Sequence, residues 1–256
     1  MMNFQDLLLS ASSVSIAAFD WDVIQQAAPA LLKEGLVFTL KLTLYSTVLA
    51  LIWGTILAMM RLSSIKIFRW FAGSYVNVMR SLPLILILFW FFFLVPYILG
   101  WIDFMWATYV DGNESARMVS RPLNGFTCAL ITFALFEAAY FCEIMRAGIQ
   151  SIARGQVGAG YALGLRYFQV MRLIVLPQAF RNMLPVIFTQ MIVLFQDTSL
   201  VTVLSLNDLL GMARINADIT GRPVELYIFA AVIYFVISLV CSRLVKVIDR
   251  RLTIIR

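Results

Sequence analysis

Residues 145–185 read MRAGIQSIARGQVGAGYALGLRYFQVMRLIVLPQAFRNMLP, and this stretch decides the fold. Five arginines fall within it (Arg146, Arg154, Arg166, Arg172 and Arg181), with no Asp, Glu or Lys. On either side run apolar segments too long for a soluble chain to keep in water. A basic, glycine-punctuated, helix-prone stretch between membrane spans belongs on the cytoplasmic face. Its length predicts a surface that touches something there.

Composition agrees. The chain is 62% hydrophobic with a mean hydropathy of +0.89, well above the roughly 45–50% apolar share of soluble domains. Its net charge of +6 invites a nucleic-acid reading. The charges are too few and too scattered for that, and basic cytoplasmic loops account for them. The absence of His removes the commonest neutral-pH proton shuttle and metal ligand. Cys128, Cys142 and Cys241 lie in or beside apolar runs without C-x-x-C spacing, so they read as small buried residues, with no metal and no disulfide expected. The N-terminal segment carries no positive charge before Lys33 and reads as uncleaved.

Five apolar runs are long enough to span or nearly span a hydrocarbon core, which needs roughly 20 helical residues. They cover about residues 35–60, 84–99, 123–144, 184–204 and 226–244. The segments 61–80, 146–182 and 243–256 hold four, five and five basic residues, with Asp249 the only acid. The opposite segments hold five Lys/Arg against ten Asp/Glu. This asymmetry predicts an N-terminus outside and a C-terminus in the cytoplasm. The expected organisation is an external segment 1–34, one all-α membrane domain 35–244 with a cytoplasmic loop at about 146–182, and a basic tail 245–256.

No lysine follows a glycine, so a G-x-x-x-x-G-K-[ST] phosphate loop is absent, and neither G-x-S-x-G nor H-E-x-x-H occurs. The chain is not expected to be an enzyme. Any ATP it uses is bound, with Mg, by another subunit.

From Gly158 the basic stretch reads GAGYALGLRYFQVMRLIVLPQ. This resembles the cytoplasmic loop of permease subunits of ATP-binding-cassette importers: E-A-A, three residues, G, nine residues, I-x-L-P. Ala159, Gly164, Ile174, Leu176 and Pro177 match it. The flanks AAYFCEIMRAGIQSIARGQ and PQAFRNMLP, with FQDTSLV in the fourth run, extend the resemblance over roughly residues 35–244 and toward the polar amino acid (histidine/glutamate-type) family, closest to its glutamate/aspartate importers. Two departures stand out: Gly158 replaces the motif Glu and Gly160 its second Ala. The literal Glu137-Ala138-Ala139 is a decoy at the wrong distance from Ile174. The resemblance implies a type I ABC importer permease fold and a short coupling helix docked in a groove of a cytoplasmic ATPase, through Gly155, Gly158, Ala159, Ala162, Leu163, Gly164 and Leu165. Without the motif carboxylate, docking would rest on shape and apolar contact. Two glycines inside a helix cost about 1 kcal/mol each relative to Ala, which predicts a coupling helix that is marginal alone. The competing reading is an amphipathic helix on anionic membrane lipid.

Gln196-Asp197-Thr198-Ser199 form the second constellation. An ionised Asp near the bilayer centre costs about 2.5–3.5 kcal/mol and should face a partner or polar cavity. For an amino-acid substrate, Asp197 would pair with the α-ammonium while Gln196, Thr198 and Ser199 donate to carboxylate oxygens. Alternatively Asp197 pairs with Lys41, and the hydroxyls bond back to their own helix. Arg80, Glu137, Glu143 and Arg146 read as structural, the last two as an i,i+3 pair.

The resemblance further implies an inner-membrane assembly with cytoplasmic ABC ATPase subunits, a sister permease or second copy, and a periplasmic amino acid binding protein. Glutamate or aspartate is the expected substrate, with glutamine, asparagine or a basic amino acid as the alternative. An ion-coupled secondary transporter would want inverted repeats and broken helices, and a membrane scaffold would leave the Asp197 cluster without a use.

Overall fold

The computed structural model describes residues 19–111, 117–119 and 123–252. Among these the regular structure is helical: α1 (Trp21–Leu62), α2 (Lys66–Ser81), α3 (Leu84–Tyr109), α4 (Gly125–Gln150), α5 (Arg154–Ala162), α6 (Tyr167–Leu204), α7 (Leu209–Thr220) and α8 (Pro223–Leu252). Helices α1, α3, α4, α6 and α8 are long and apolar enough to cross a membrane.

Several helices outrun their apolar stretches. Helix α1 starts at Trp21 rather than Gly35, because Asp20 caps it by accepting from the Asp22 amide and Ala27 and Leu31 bury against α7 and α8. Helix α3 runs on to Tyr109. Helix α6 starts at Tyr167, so most of the second half of the basic stretch is helix continuous with the fourth apolar run rather than loop. Pro96 and Pro177 each sit two residues beyond a five-residue π turn, Trp90–Leu94 and Met171–Val175. A proline ring clashes with the carbonyl four residues earlier, here Phe92 and Leu173, both inside the widened turns. The π turn moves that carbonyl aside and the helix continues.

The bundle is built on α1 against α4. Ser46, Thr47, Ala50, Gly54 and Ala58 form a small-residue face on α1, opposite Ala134, Ala138, Ala139 and Cys142. A Cβ on Gly54 would fall 2.9 Å from the Phe141 Cβ and 3.0 Å from the Ala138 carbonyl, so the two backbones all but touch. Small residues permit the close approach that drives association where lipid is the solvent. Phe38 meets Phe126 at one end and Arg61 meets Glu143 at the other, so the helices run parallel. Helix α6 runs antiparallel to α4, with Met183 beside Gly148 and Gln190 beside Glu137.

Among the described residues, α2, α5 and α7 lie between spans. Residues 66–81, expected as a basic loop, form α2, which buries Ala72 and Val76 one turn apart and donates a Tyr75 hydroxyl bond to the Leu135 carbonyl at 2.7 Å. Residues 205–225, expected as a polar connection, contain α7. Buried Asp208 caps it, accepting from the Leu210 and Gly211 amides at 3.1 and 3.0 Å, and Gly221 at φ +68° ends it. Helices α3 and α8 leave most of their apolar surface outward, available to lipid or to another chain.

Candidate functional site

The expected docking residues gather in one place. Helix α5 carries Gly155, Gly158, Ala159 and Ala162, all exposed, and the turn after it carries exposed Leu163 and Gly164 and half-buried Leu165. Gly164 adopts φ +79°. The Gly164 amide donates to the Tyr161 carbonyl at 2.9 Å and the Leu165 amide to the Gly160 carbonyl at 3.1 Å. This paired bonding is a Schellman stop, which needs a left-handed residue after the helix and is why glycine stands there. The stop leaves the Leu163 side chain 80% exposed at the tip.

The two departures from the loop pattern have different surroundings. A Cβ on Gly158 would meet nothing within 4 Å, so the position of the missing Glu lies on the outward face of α5. A Cβ on Gly160 would come within 2.7 Å of Ile174 Cδ1 and 3.1 Å of Val170 Cγ2. Gly160 is therefore the contact by which α5 packs onto the start of α6. With Tyr161, Tyr167, Phe168 and Leu173 also exposed nearby, the basic end presents an apolar surface. The helix itself contains Arg154 alone among the five arginines of the stretch, which suits a grooved partner better than a bed of anionic headgroups.

Arg146 is engaged elsewhere. Its guanidinium donates to Glu143 Oε2 at 2.9 and 2.7 Å and to Gln150 Oε1 at 2.7 Å. The i,i+3 pair expected from sequence is thus present, and Arg61 at the end of α1 joins it by pairing with Glu143 Oε1. Glu143 is the tie between α1 and α4 at this end of the bundle.

The second constellation does not act as one cluster. Asp197 closes the α-helical part of α6 and Thr198 opens a 3₁₀ turn running to Leu204. Gln196 turns toward α8, its amide donating to the Ser238 hydroxyl at 3.1 Å. Thr198 is buried and its hydroxyl donates back to the Phe195 carbonyl at 2.6 Å, the self-satisfied arrangement. Half-buried Asp197 and Ser199 have no side-chain hydrogen bond or ion pair among the described residues, and Lys41 forms no ion pair with Asp197.

Asp197 lies seven residues beyond Gln190, two turns of helix, and therefore on the same face. That face looks at α4, where the Gln190 amide donates to Glu137 Oε2 at 2.9 Å. Glu137 is fully buried and its Oε1 lacks a partner among the described residues. The interior thus holds a polar strip that starts with Glu137 and Gln190 between two apolar clusters, one around Phe141 and Ile187 toward the basic end, the other around Phe133 and Leu194, and continues two turns along α6 to Asp197 within the second cluster. Glu137, read from sequence as structural, does tie α4 to α6 through Gln190, and the sequence did not show that partner. The available signal was a carboxylate in the middle of an apolar run.

A family profile described as binding-protein-dependent transport system inner membrane component matches residues 50–254. The glutamate/aspartate import permease protein GltK of Escherichia coli O6:H1 (strain CFT073) is 48% identical over 91% of this chain and 98% of its own length. The arginine transport system permease protein ArtQ of Bacillus subtilis (strain 168) is 35% identical over 86% of this chain and 91% of its own length. Among solved structures, a crystal structure of an amino acid ABC transporter with histidines superposes with a TM-score of 0.79 at 32% identity, covering 91% of this chain and 98% of that one. The MetNI methionine ABC transporter, at 19% identity and a TM-score of 0.65, shares the fold. With five apolar helices in the type I permease arrangement, the chain belongs to the binding-protein-dependent transport system inner membrane components, as an ABC importer permease and a transmembrane part rather than an enzyme.

Proposed function

We propose that this chain is a permease of an ATP-driven importer of acidic amino acids, glutamate and aspartate. The observation that carries the substrate class is the 48% identity to a glutamate/aspartate permease along nearly the whole chain, against 35% to an arginine permease. The interior supports amino-acid transport in general: a half-buried carboxylate without a protein partner, Asp197, suits the α-ammonium that every amino acid carries. Ser199, half-buried and without a side-chain hydrogen bond of its own among the described residues, is the nearby donor to a carboxylate oxygen, while Gln196 is committed to Ser238 on α8.

In this reading the acidic ends of the spans face the periplasm and the basic ends the cytoplasm, as the Lys/Arg distribution favours. Residues 35–244 form the transporting domain, with residues 1–34 outside and 245–256 as a basic tail beside anionic lipid. Five spans enclose little alone, so a sister permease or second copy completes the pathway, and a periplasmic binding protein delivers the amino acid. Two cytoplasmic ATPase subunits bind ATP and Mg and receive α5 in a groove, with Leu163 as its apolar tip. Closing of the ATPase dimer draws the two coupling helices together and turns the cavity outward; hydrolysis returns it inward. Each ligand acts only through its different affinity for the two states.

The test is uptake of labelled glutamate by cells with and without this gene, with unlabelled aspartate and arginine as competitors and the ion gradient collapsed while ATP is maintained. Gene-dependent uptake that aspartate blocks, arginine spares and gradient collapse leaves intact is the expected result. Unchanged uptake after deletion would overturn the substrate assignment. Asp197→Asn should abolish transport while leaving the complex assembled.

A further inference from the structure

Arg80 ends α2 just before the break at Ser81-Leu82-Pro83. Its guanidinium carbon lies 5.3 Å from the centre of the Tyr140 ring, a cation–π contact, and it has no carboxylate partner among the described residues. Arg61 and Arg146 are held by Glu143, so their forks are occupied. Tyr140 stands one turn inside that charged belt, between Glu143 and the buried Glu137. Arg80 is exposed, and its charge belongs in water or against another chain rather than against lipid.

Beside it is a cavity of about 440 Å³ between α2, α4 and α6, within the roughly 300–1,000 Å³ range of small-molecule sites. Arg80 and Glu143 line it together with Ala147, Ser151, Asn182 and Val186. Its far wall is ordered: the Asn182 amide donates to the Ser151 hydroxyl at 2.9 Å, and that hydroxyl donates to the Gly148 carbonyl at 2.8 Å.

We propose that this cavity is a second station for the transported amino acid, on the basic side of Asp197, where Arg80 takes a carboxylate with both arms of its guanidinium. The proposal rests on the amino-acid import reading. A planar fork resting against a tyrosine ring suits a planar carboxylate, which a lysine cannot reproduce. Asp197 takes the ammonium end of the substrate and Arg80 the carboxylate end of a substrate that has moved inward. The carboxylate is either the α-carboxylate or that of the side chain.

The experiment uses proteoliposomes with the complete transporter: this chain, its companion permease, the ATPase and the binding protein. Labelled glutamate and labelled glutamine delivered per ATP hydrolysed are compared for wild type, R80K and R80Q. R80Q should lower delivery per ATP by about tenfold or more, the worth of a charge-assisted hydrogen bond. R80K, which keeps the charge and loses the fork, should also fall clearly below wild type. Loss of glutamate delivery with glutamine spared assigns Arg80 to the side-chain carboxylate; loss of both assigns it to the α-carboxylate. If R80Q fails to assemble, R80K decides. Wild-type delivery by R80K would make Arg80 a mere anchor of α2 and overturn the proposal while leaving the import reading intact. A wild-type complex that moves no amino acid overturns both.

Discussion

Gly160 sits so close to Ile174 that a Cβ built on it would lie 2.7 Å from the Ile174 Cδ1, whereas Gly158, two residues earlier, faces open space. The two glycines of α5 should therefore respond oppositely to substitution. Gly158→Ala meets nothing and removes a helix-interior glycine, a gain of about 1 kcal/mol in helix formation. Gly158→Glu adds a carboxylate on the outward face and should strengthen co-purification of the ATPase. Gly160→Ala displaces only the end of Ile174 and should be near neutral. Gly160→Leu cannot fit between Val170 and Ile174, so it should lift α5 off α6 and lose the ATPase while the chain stays in the membrane. Pull-down of the ATPase with each variant checks this; loss with Gly158→Ala and retention with Gly160→Leu would reverse the assigned faces.

The stretch around Gly164 was legible because its signals are local: a glycine at a helix stop and a proline at fixed distance. Helix α7 was equally marked, by Asp208 before it, Gly221 after it and Pro223 beyond, yet its polar sequence between apolar runs masked it. The true length of α6 was hidden for another reason. Pro177 reads as a stop, and nothing in the residue pattern announces the π turn at Met171–Val175 that carries the helix through it. Pairings across helices were the least visible. Glu143 with Arg146 follows from spacing, but Arg61 arrives from another span, and Glu137 with Gln190 requires knowing how α4 and α6 face each other.

Asp208 should give the connection between α6 and α8 a pH dependence. Burial pushes its carboxyl up to about 6, against the Thr202 hydroxyl and the Leu210 and Gly211 amides that favour the charged form. A native value above the unfolded value of about 3.9 means that the folded state binds the extra proton. The stabilisation from this group is fully present below about pH 4 and is lost as pH rises through about 6. Asp208→Asn keeps an oxygen to cap α7 and removes the titration. Melting curves of the detergent-solubilised protein between pH 4 and 7 should show a smaller Asp208-dependent change in the Asn variant. Asp208→Ala loses the cap as well, about 1 kcal/mol, and should melt lowest at every pH.

Glu143 holds two arginines, so its removal should cost more than removal of either. With its side chain 18% exposed, it satisfies Arg61 on α1 and Arg146 on its own helix. Arg61→Ala leaves Glu143 with both bonds from Arg146. Glu143→Ala strands two guanidinium groups, a loss of about 1–3 kcal/mol for groups left partly desolvated. Melting temperatures should rank wild type, Arg61→Ala, Glu143→Ala. The double variant should melt close to Glu143→Ala, because the shared contact is lost only once. Fully additive losses would mean that Arg61 is stabilised by something other than Glu143.

Glu137 tests whether the interior polar strip is built for an incoming cation. Gln190 donates to its Oε2, and its Oε1 is buried without a partner. Glu137 and, two turns further along α6, Asp197 are two carboxyls with no protein cation paired to either among the described residues. Glu137→Gln keeps an acceptor for the Gln190 amide and removes one of two like charges, so the purified protein should melt no lower than wild type. Glu137→Ala leaves the Gln190 amide unpaired inside the bundle and should cost about 1–3 kcal/mol. Transport should fall in both variants, because an ammonium passing the strip loses part of its counter-charge. A lower melting temperature for Glu137→Gln, matching that of Glu137→Ala, would instead mean that the carboxylate is already neutralised by a protein cation, and the strip would then be a structural tie rather than a place for substrate.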